Sequence, residues 1–250
     1  MCIRDRLTSH LALVVQKSGQ QTLLLDLGLP RGDSLALLGL ESSFNFGDAL
    51  RHLRRLDSTL INSAFTCAED GLRILAYAPN DEPLAQTSAA ELYMLLSALR
   101  QHFQHIVVNL AGQPDSEALR TFVSHCDKLL WCTDQSVLDC RRNLGVLNQW
   151  REKGMKLEHA KLLVDRYIKG CAPDAEALGK SYGLEVIAVL PLSPEVRLNA
   201  KNQGQTLFAL APRETLTHNL KALGERLAKR SEGMKQPSHT WFERLLRAGK

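Results

Sequence analysis

Residues 22–33 read TLLLDLGLPRGD. Three consecutive leucines, Leu23 to Leu25, carry the chain into Asp26 and then into a turn containing Gly28, Pro30 and Gly32. An apolar run bounded by turn residues fits a parallel strand covered on both faces. In an open α/β sheet, ligands sit beyond the carboxyl ends of such strands, so Asp26 stands where a carboxylate meets a ligand. The plainer alternative is an aspartate that only caps its own loop.

The pattern on either side alternates between helix and strand. Upstream, Leu7, Leu11, Val14 and Val15 recur at helical spacing until Ser18–Gly19. Downstream, short helical pieces are predicted over Leu35–Leu40 and Phe46–Leu53, a strand over Leu72–Ala76 and an amphipathic helix over Ala89–Phe103. His105–Leu110, HIVVNL, reads as a second buried strand. Helices over Leu119–Cys126, Val137–Lys153 and Ala175–Tyr182 then alternate with strands over Lys128–Cys132, Ala160–Asp165 and Val186–Leu190. Pro194–Gln203, a loop over Gly204–Pro212 and a helix from Arg213 to Lys229 complete the series. This alternation predicts an α/β fold with a doubly wound, mostly parallel sheet, as one domain over 7–230. Ser231–Ser238 is polar and reads as a linker to a separate tail over 239–250.

Composition narrows the function classes. At 250 residues, 44% hydrophobic and 23% charged, the chain is an ordinary globular protein, and its net charge of +4 does not indicate a nucleic-acid binder. No apolar run approaches a membrane span and no signal peptide is recognisable. The six cysteines form no C-x-x-C pair, and the eight histidines show no ligand spacing, so reduced thiols in a cytoplasmic protein and no metal site are predicted. No G-x-S-x-G elbow supports a serine hydrolase.

Four segments, taken in order, resemble the MinD/ParA branch of the P-loop ATPases. They are TLLLDLGLPRGDSLALLGL as the first switch region, HIVVNLAG as the Walker B strand, LLVDRYIKG as the base-side strand and turn, and VLPLSPEVRLNAKNQGQTLFALAP. Within that branch the chain is most similar to the TadZ/CpaE proteins of tight-adherence (Flp-type) pilus assembly. The resemblance implies a MinD/ParA-like fold that binds ATP with Mg²⁺ and forms a homodimer. It also implies a localisation or assembly role with the pilus secretion machinery as partner. Its site residues fall on Asp26, Asn109, Asp165 and Arg166.

The chain departs from that family in informative places. The family's G-x-x-x-x-G-K-[ST] loop would end just before Leu7, where Met1-Cys2-Ile3-Arg4-Asp5-Arg6 contains no glycine. Residues 1–6 therefore read as a non-native leader on an N-terminally truncated chain that lacks the first strand and the phosphate loop. Such a fragment is expected to bind no nucleotide and, with an interior strand missing, to be poorly stable. Further in, Asn109 occupies the Walker B position that carries Asp in active relatives. Gly28 replaces the second acidic residue of the switch, and Asp165 stands where Asn is common. An amide brings no charge to hold a cation. These changes favour a nucleotide binder with weak or no hydrolysis, Asp26 surviving as the switch carboxylate and no catalytic residue assigned. The alternatives are a harmless variation at Asn109 in an active MinD/ParA-type ATPase for positioning or partition, and a DNA-binding partition protein.

Two basic segments complete the reading. In the tail, His239–Leu246 (HTWFERLL) puts Trp241, Phe242, Leu245 and Leu246 on one helical face, with Arg244 and Arg247 on the other. That pattern suits an anionic membrane surface or a partner groove, and it resembles the membrane-targeting helix of MinD. The tail could equally dock on its own domain. Arg51-His52-Leu53-Arg54-Arg55 is flanked by Asp48 and Asp57, so a solvated helix face is favoured over a DNA-binding surface.

Overall fold

The computed structural model describes residues 3–29, 34–68, 70–78 and 80–229. Its strands are β1 (Thr22–Asp26), β2 (Thr66–Cys67), β3 (Arg73–Ala76), β4 (His105–Asn109), β5 (Leu129–Thr133), β6 (Ala160–Tyr167) and β7 (Val186–Pro191). The helices preceding β5 are α1 (Ile3–Lys17), α2 (Ser34–Leu37), α3 (Phe46–Arg51), α4 (Ser58–Ala64), α5 (Ala89–Leu99) and α6 (Glu117–His125). Those that follow are α7 (Val137–Glu152), α8 (Ala175–Tyr182), α9 (Pro194–Gln203), α10 (Leu207–Leu210) and α11 (Thr215–Ala228). Local sequence explains many of the boundaries. Ser88 and Glu91 form a capping box on α5; Ser116, Ser136 and Asp174 cap α6, α7 and α8 through their side chains.

The strands form two groups, ordered β2-β3-β1-β4 and β5-β6-β7, parallel throughout except for the short antiparallel β2. Alternate residues of each strand feed opposite layers. Leu23 and Leu25 pack with α3, α4, α5 and α6, whereas Leu24 and Ile74 pack with α1 and α2. In the second group, Leu162 and Val164 face α7 and α8, and Leu163 and Leu190 face α1, α9, α10 and α11. Helices thus cover both faces, and α1 spans both groups. The expectation of a doubly wound, mostly parallel architecture holds, and β1 is as buried as its leucines require. The helix α10 falls inside a stretch predicted as loop; Thr206 starts it by accepting from the Ala209 N–H.

The strand β4 differs from its prediction as strongly buried: Ile106, Val107 and Val108 are only half-buried. The reason is its position. A cavity of about 550 Å³ separates β4 from β5, lined by Ile106 and Val108 on one side and Leu130 on the other, with Leu11 of α1 and Phe122 of α6 as walls. In β4, Asn109 turns its carbonyl toward β1 and accepts from the Leu27 N–H at 3.0 Å. In a parallel strand the alternate residues Ile106 and Val108 therefore present their backbone to the cavity.

One polar clasp ties the halves beyond that cavity. Asp115, in the loop after β4, accepts from Trp150 Nε1 at 2.9 Å and Lys153 Nζ at 2.9 Å, and pairs with Arg120 at 2.8 Å. Burial pushes the Asp115 carboxyl up, but hydrogen bonds from Lys153, Trp150 and Arg120 outweigh it and leave the group below its usual range.

Candidate functional site

The loops after β1 and β4 run side by side at the carboxyl end of their strands. The parallel register places Asp26 opposite Asn109. Backbone pairing continues past the strand ends, where the Leu29 N–H donates to the Ala111 carbonyl at 2.7 Å. Gly112, at φ 75°, makes that approach feasible: a Cβ there would meet the Leu29 carbonyl oxygen at 2.3 Å.

Asp26 is fully buried. Its Oδ1 accepts from the Gly28 N–H at 3.1 Å and from Asn109 Nδ2 at 2.7 Å, and its Oδ2 accepts from the Ser34 N–H at 3.3 Å. Asn109 is held in turn, since its Oδ1 accepts from the Ala111 N–H at 3.1 Å. Ser34 Oγ receives a hydrogen bond from Ser9 of α1 at 2.9 Å, so α1 reaches the same loop. Both readings of Asp26 meet here: it sits at the strand's carboxyl end, and its present partners are those of a loop clamp.

Asp165 and Arg166 lie at the end of β6, in the other group of strands. There the β6–β7 register shifts between Val164 and Tyr167. Arg166 adopts φ 54° and Ser193, before α9, adopts φ 37°, both left-handed and costly for side-chain-bearing residues. Arg166 Nε is buried without a hydrogen-bond partner among the described residues. Asp165, the residue expected on the base side, lies in a buried ion pair. Its carboxylate is taken by Arg197 of α9, through Nη2–Oδ1 at 2.5 Å and Nη1–Oδ2 at 3.2 Å. Arg197 Nη2 also donates to the Pro191 carbonyl at 3.0 Å. The carboxylate is thus half of a buried ion pair.

The structure therefore brings Asp26 and Asn109 into contact and leaves Asp165 and Arg166 in a separate cluster. Sequence reading missed Arg197, which carries no signal beyond being a charged residue in an amphipathic segment. It also missed His10, fully buried on α1, whose Nε2 accepts from the Leu207 N–H at 2.7 Å and anchors α10. The expected tail residues Trp241, Phe242, Arg244, Leu245, Leu246 and Arg247 lie outside the described residues. Among the described residues no three His, Cys, Asp or Glu side chains form a metal cluster, and no helix is long and apolar enough to cross a membrane. The Asp26–Asn109 pair is a poor site for Mg²⁺, because it offers one carboxylate charge, already hydrogen-bonded to Gly28, Ser34 and Asn109, and an amide that adds none.

No family model and no curated protein matches the chain. Solved structures do. A ParA family ATPase from Chlorobium tepidum superposes with a TM-score of 0.79 at 17% identity, covering 88% of this chain and 92% of the other. The MinD of a MinC:MinD cell division complex from Aquifex aeolicus gives 0.72 at 18% identity, covering 93% of each chain. The septum site-determining protein MinD of Pyrococcus horikoshii, solved with Mg-ADP, gives 0.71 at 16% identity over 90% of each. At these identities the likeness establishes architecture, and the chain has the fold of the ParA/MinD ATPases.

Proposed function

We propose that this protein is an ATPase-like localisation and assembly factor whose nucleotide site binds ATP with weak or no hydrolysis. The observation that carries this reading is the Asn109 amide bonded to Asp26, within a ParA/MinD fold. Phosphoryl transfer in this architecture needs carboxylates that hold a cation and orient water. Here the one buried carboxylate of the pair is spent on loop backbone and on an amide.

The phosphate-binding loop is assigned to sequence upstream of α1. The cavity between β4 and β5 supports this, since its two parallel edges accommodate one more strand. A strand there would reach α1 through a right-handed connection. The TadZ/CpaE-like segments of the sequence support a place in tight-adherence pilus assembly, with secretion-machinery proteins as partners. A protein partner is in keeping with the MinC:MinD complex of a structural neighbour, and a homodimer is assigned from the family resemblance. The basic amphipathic tail, with Trp241, Phe242, Leu245 and Leu246 opposite Arg244 and Arg247, is assigned to an anionic inner-membrane surface. Nucleic acid is not assigned as a partner.

The test is ATP turnover by a version carrying its natural upstream sequence. Binding of ATP with turnover at background is expected, with a gain of turnover in Asn109→Asp. Turnover well above background with Asn109 in place would favour an active positioning or partition ATPase instead. For the tail, vesicles rich in anionic lipid should pellet the full chain and release a version ending at residue 238. Equal pelleting of both would remove the membrane assignment.

A further inference from the structure

We infer that the Asn109 side-chain amide does the work of a cation at Asp26, so that the switch loop is held by the chain alone, independently of any divalent ion. The inference concerns the nucleotide-free protein and stands apart from whether ATP is bound or hydrolysed.

Asp26 pins both ends of its loop, accepting from Gly28 near the start and Ser34 at the end. A fully buried carboxylate needs compensating donors, and the loop's two N–H groups come from its own segment. The third donor, Asn109 Nδ2 at 2.7 Å, is the shortest and comes from the neighbouring strand. Its orientation is not open to reversal. The Ala111 N–H at 3.1 Å requires an acceptor, which fixes the amide oxygen on that side and the NH₂ on the Asp26 side. Aspartate at position 109 would place two carboxylate oxygens where that hydrogen bond now lies, with no proton between them. Two carboxylates so close cannot both stay ionised without a proton or a cation between them. Asn109 removes that need. It neutralises no charge, but it supplies the donor and eliminates the repulsion that would otherwise call for an ion.

The experiment compares thermal melts of the full chain in EDTA and in excess Mg²⁺, without nucleotide. The wild type is expected to melt at the same temperature in both. Asn109→Asp should melt about 5–10 °C lower in EDTA and regain at least half of that in Mg²⁺. Three results would overturn the inference. They are Asn109→Asp melting like wild type in EDTA, Mg²⁺ raising the wild type as much as the variant, or Mg²⁺ leaving the variant's deficit in place. Should Asn109→Asp not fold under either condition, the exchange Asp26→Asn/Asn109→Asp decides. It restores one amide beside one carboxylate, losing only one loop hydrogen bond. It should therefore fold and ignore Mg²⁺; failure to fold, or a Mg²⁺ response, would sink the inference.

Discussion

Replacing Arg197 by alanine should cost about 3–5 kcal/mol of stability, read as a lowered urea midpoint at unchanged slope. The size follows from burial. Arg197 and Asp165 are 6% and 7% exposed, and they meet through two parallel contacts at 2.5 and 3.2 Å. The arginine also donates to the Pro191 carbonyl, so one side chain ties the end of β6, the end of β7 and the first turn of α9. Truncation leaves the Asp165 carboxylate buried with no counter-charge, the costly way to break such a pair. Removing both charges is different. Asp165→Leu/Arg197→Met exchanges the pair for apolar bulk and should recover most of the loss, since a buried pair and well-packed hydrophobes of similar volume are often close in stability. Equal destabilisation by the single and the double replacement would show that packing, not the unpaired charge, sets the cost.

The Asp165–Arg197 pair also marks where the sequence stopped being readable. β1 and β6 were legible because a run of branched and long apolar residues between turn residues reports burial on both faces; β4 and β7 carry the same kind of run and were placed as strands, although they are mostly half-buried. Helix α8 was legible to the residue, because Asp174 and Gly183 punctuate its ends. Within the site, the contact between Asp26 and Asn109 was within reach, as both end strands predicted to be parallel. Which strands are neighbours was not. Asp165 illustrates the limit. Its position at a strand end was correctly placed, yet its partner comes from a helix 32 residues further along, and nothing in local periodicity announces that distance. Helix α4 and strand β2 went unpredicted for another reason. Ser58–Ala64 is short and mostly polar, with Ile61 its only buried side chain, so no periodic face stands out.

The second large effect is expected at Gly224, where α11 crosses α1. A Cβ at this position would lie 2.6 Å from both Cβ and Cγ1 of Val14, closer than carbon atoms approach without something moving. The contact is with the stem of a β-branched residue in a helix, which has little rotamer freedom to yield. Two terms oppose one another in Gly224→Ala. Helix propensity favours alanine by about 1 kcal/mol, whereas overpacking a close-packed contact costs about 1–3 kcal/mol. The balance is a small net loss. Gly224→Leu gains no more from propensity and adds bulk that cannot be placed, so it should lose about 3 kcal/mol or force the helices apart. Trimming the opposing residue tests the cause. In Val14→Gly/Gly224→Ala the new methyl meets neither the Cβ nor the Cγ1 of residue 14, and the two changes should cost about 1–3 kcal/mol less together than the sum of each alone. Strict additivity would mean that the contact does not set the helix spacing. That spacing reaches the site: Val14 lies on the same helix as Ser9, whose hydroxyl bonds Ser34 beside Asp26. A helix pair forced apart at Gly224 should therefore loosen the Asp26 loop as well, giving faster amide exchange at Ser34 in Gly224→Leu than in wild type.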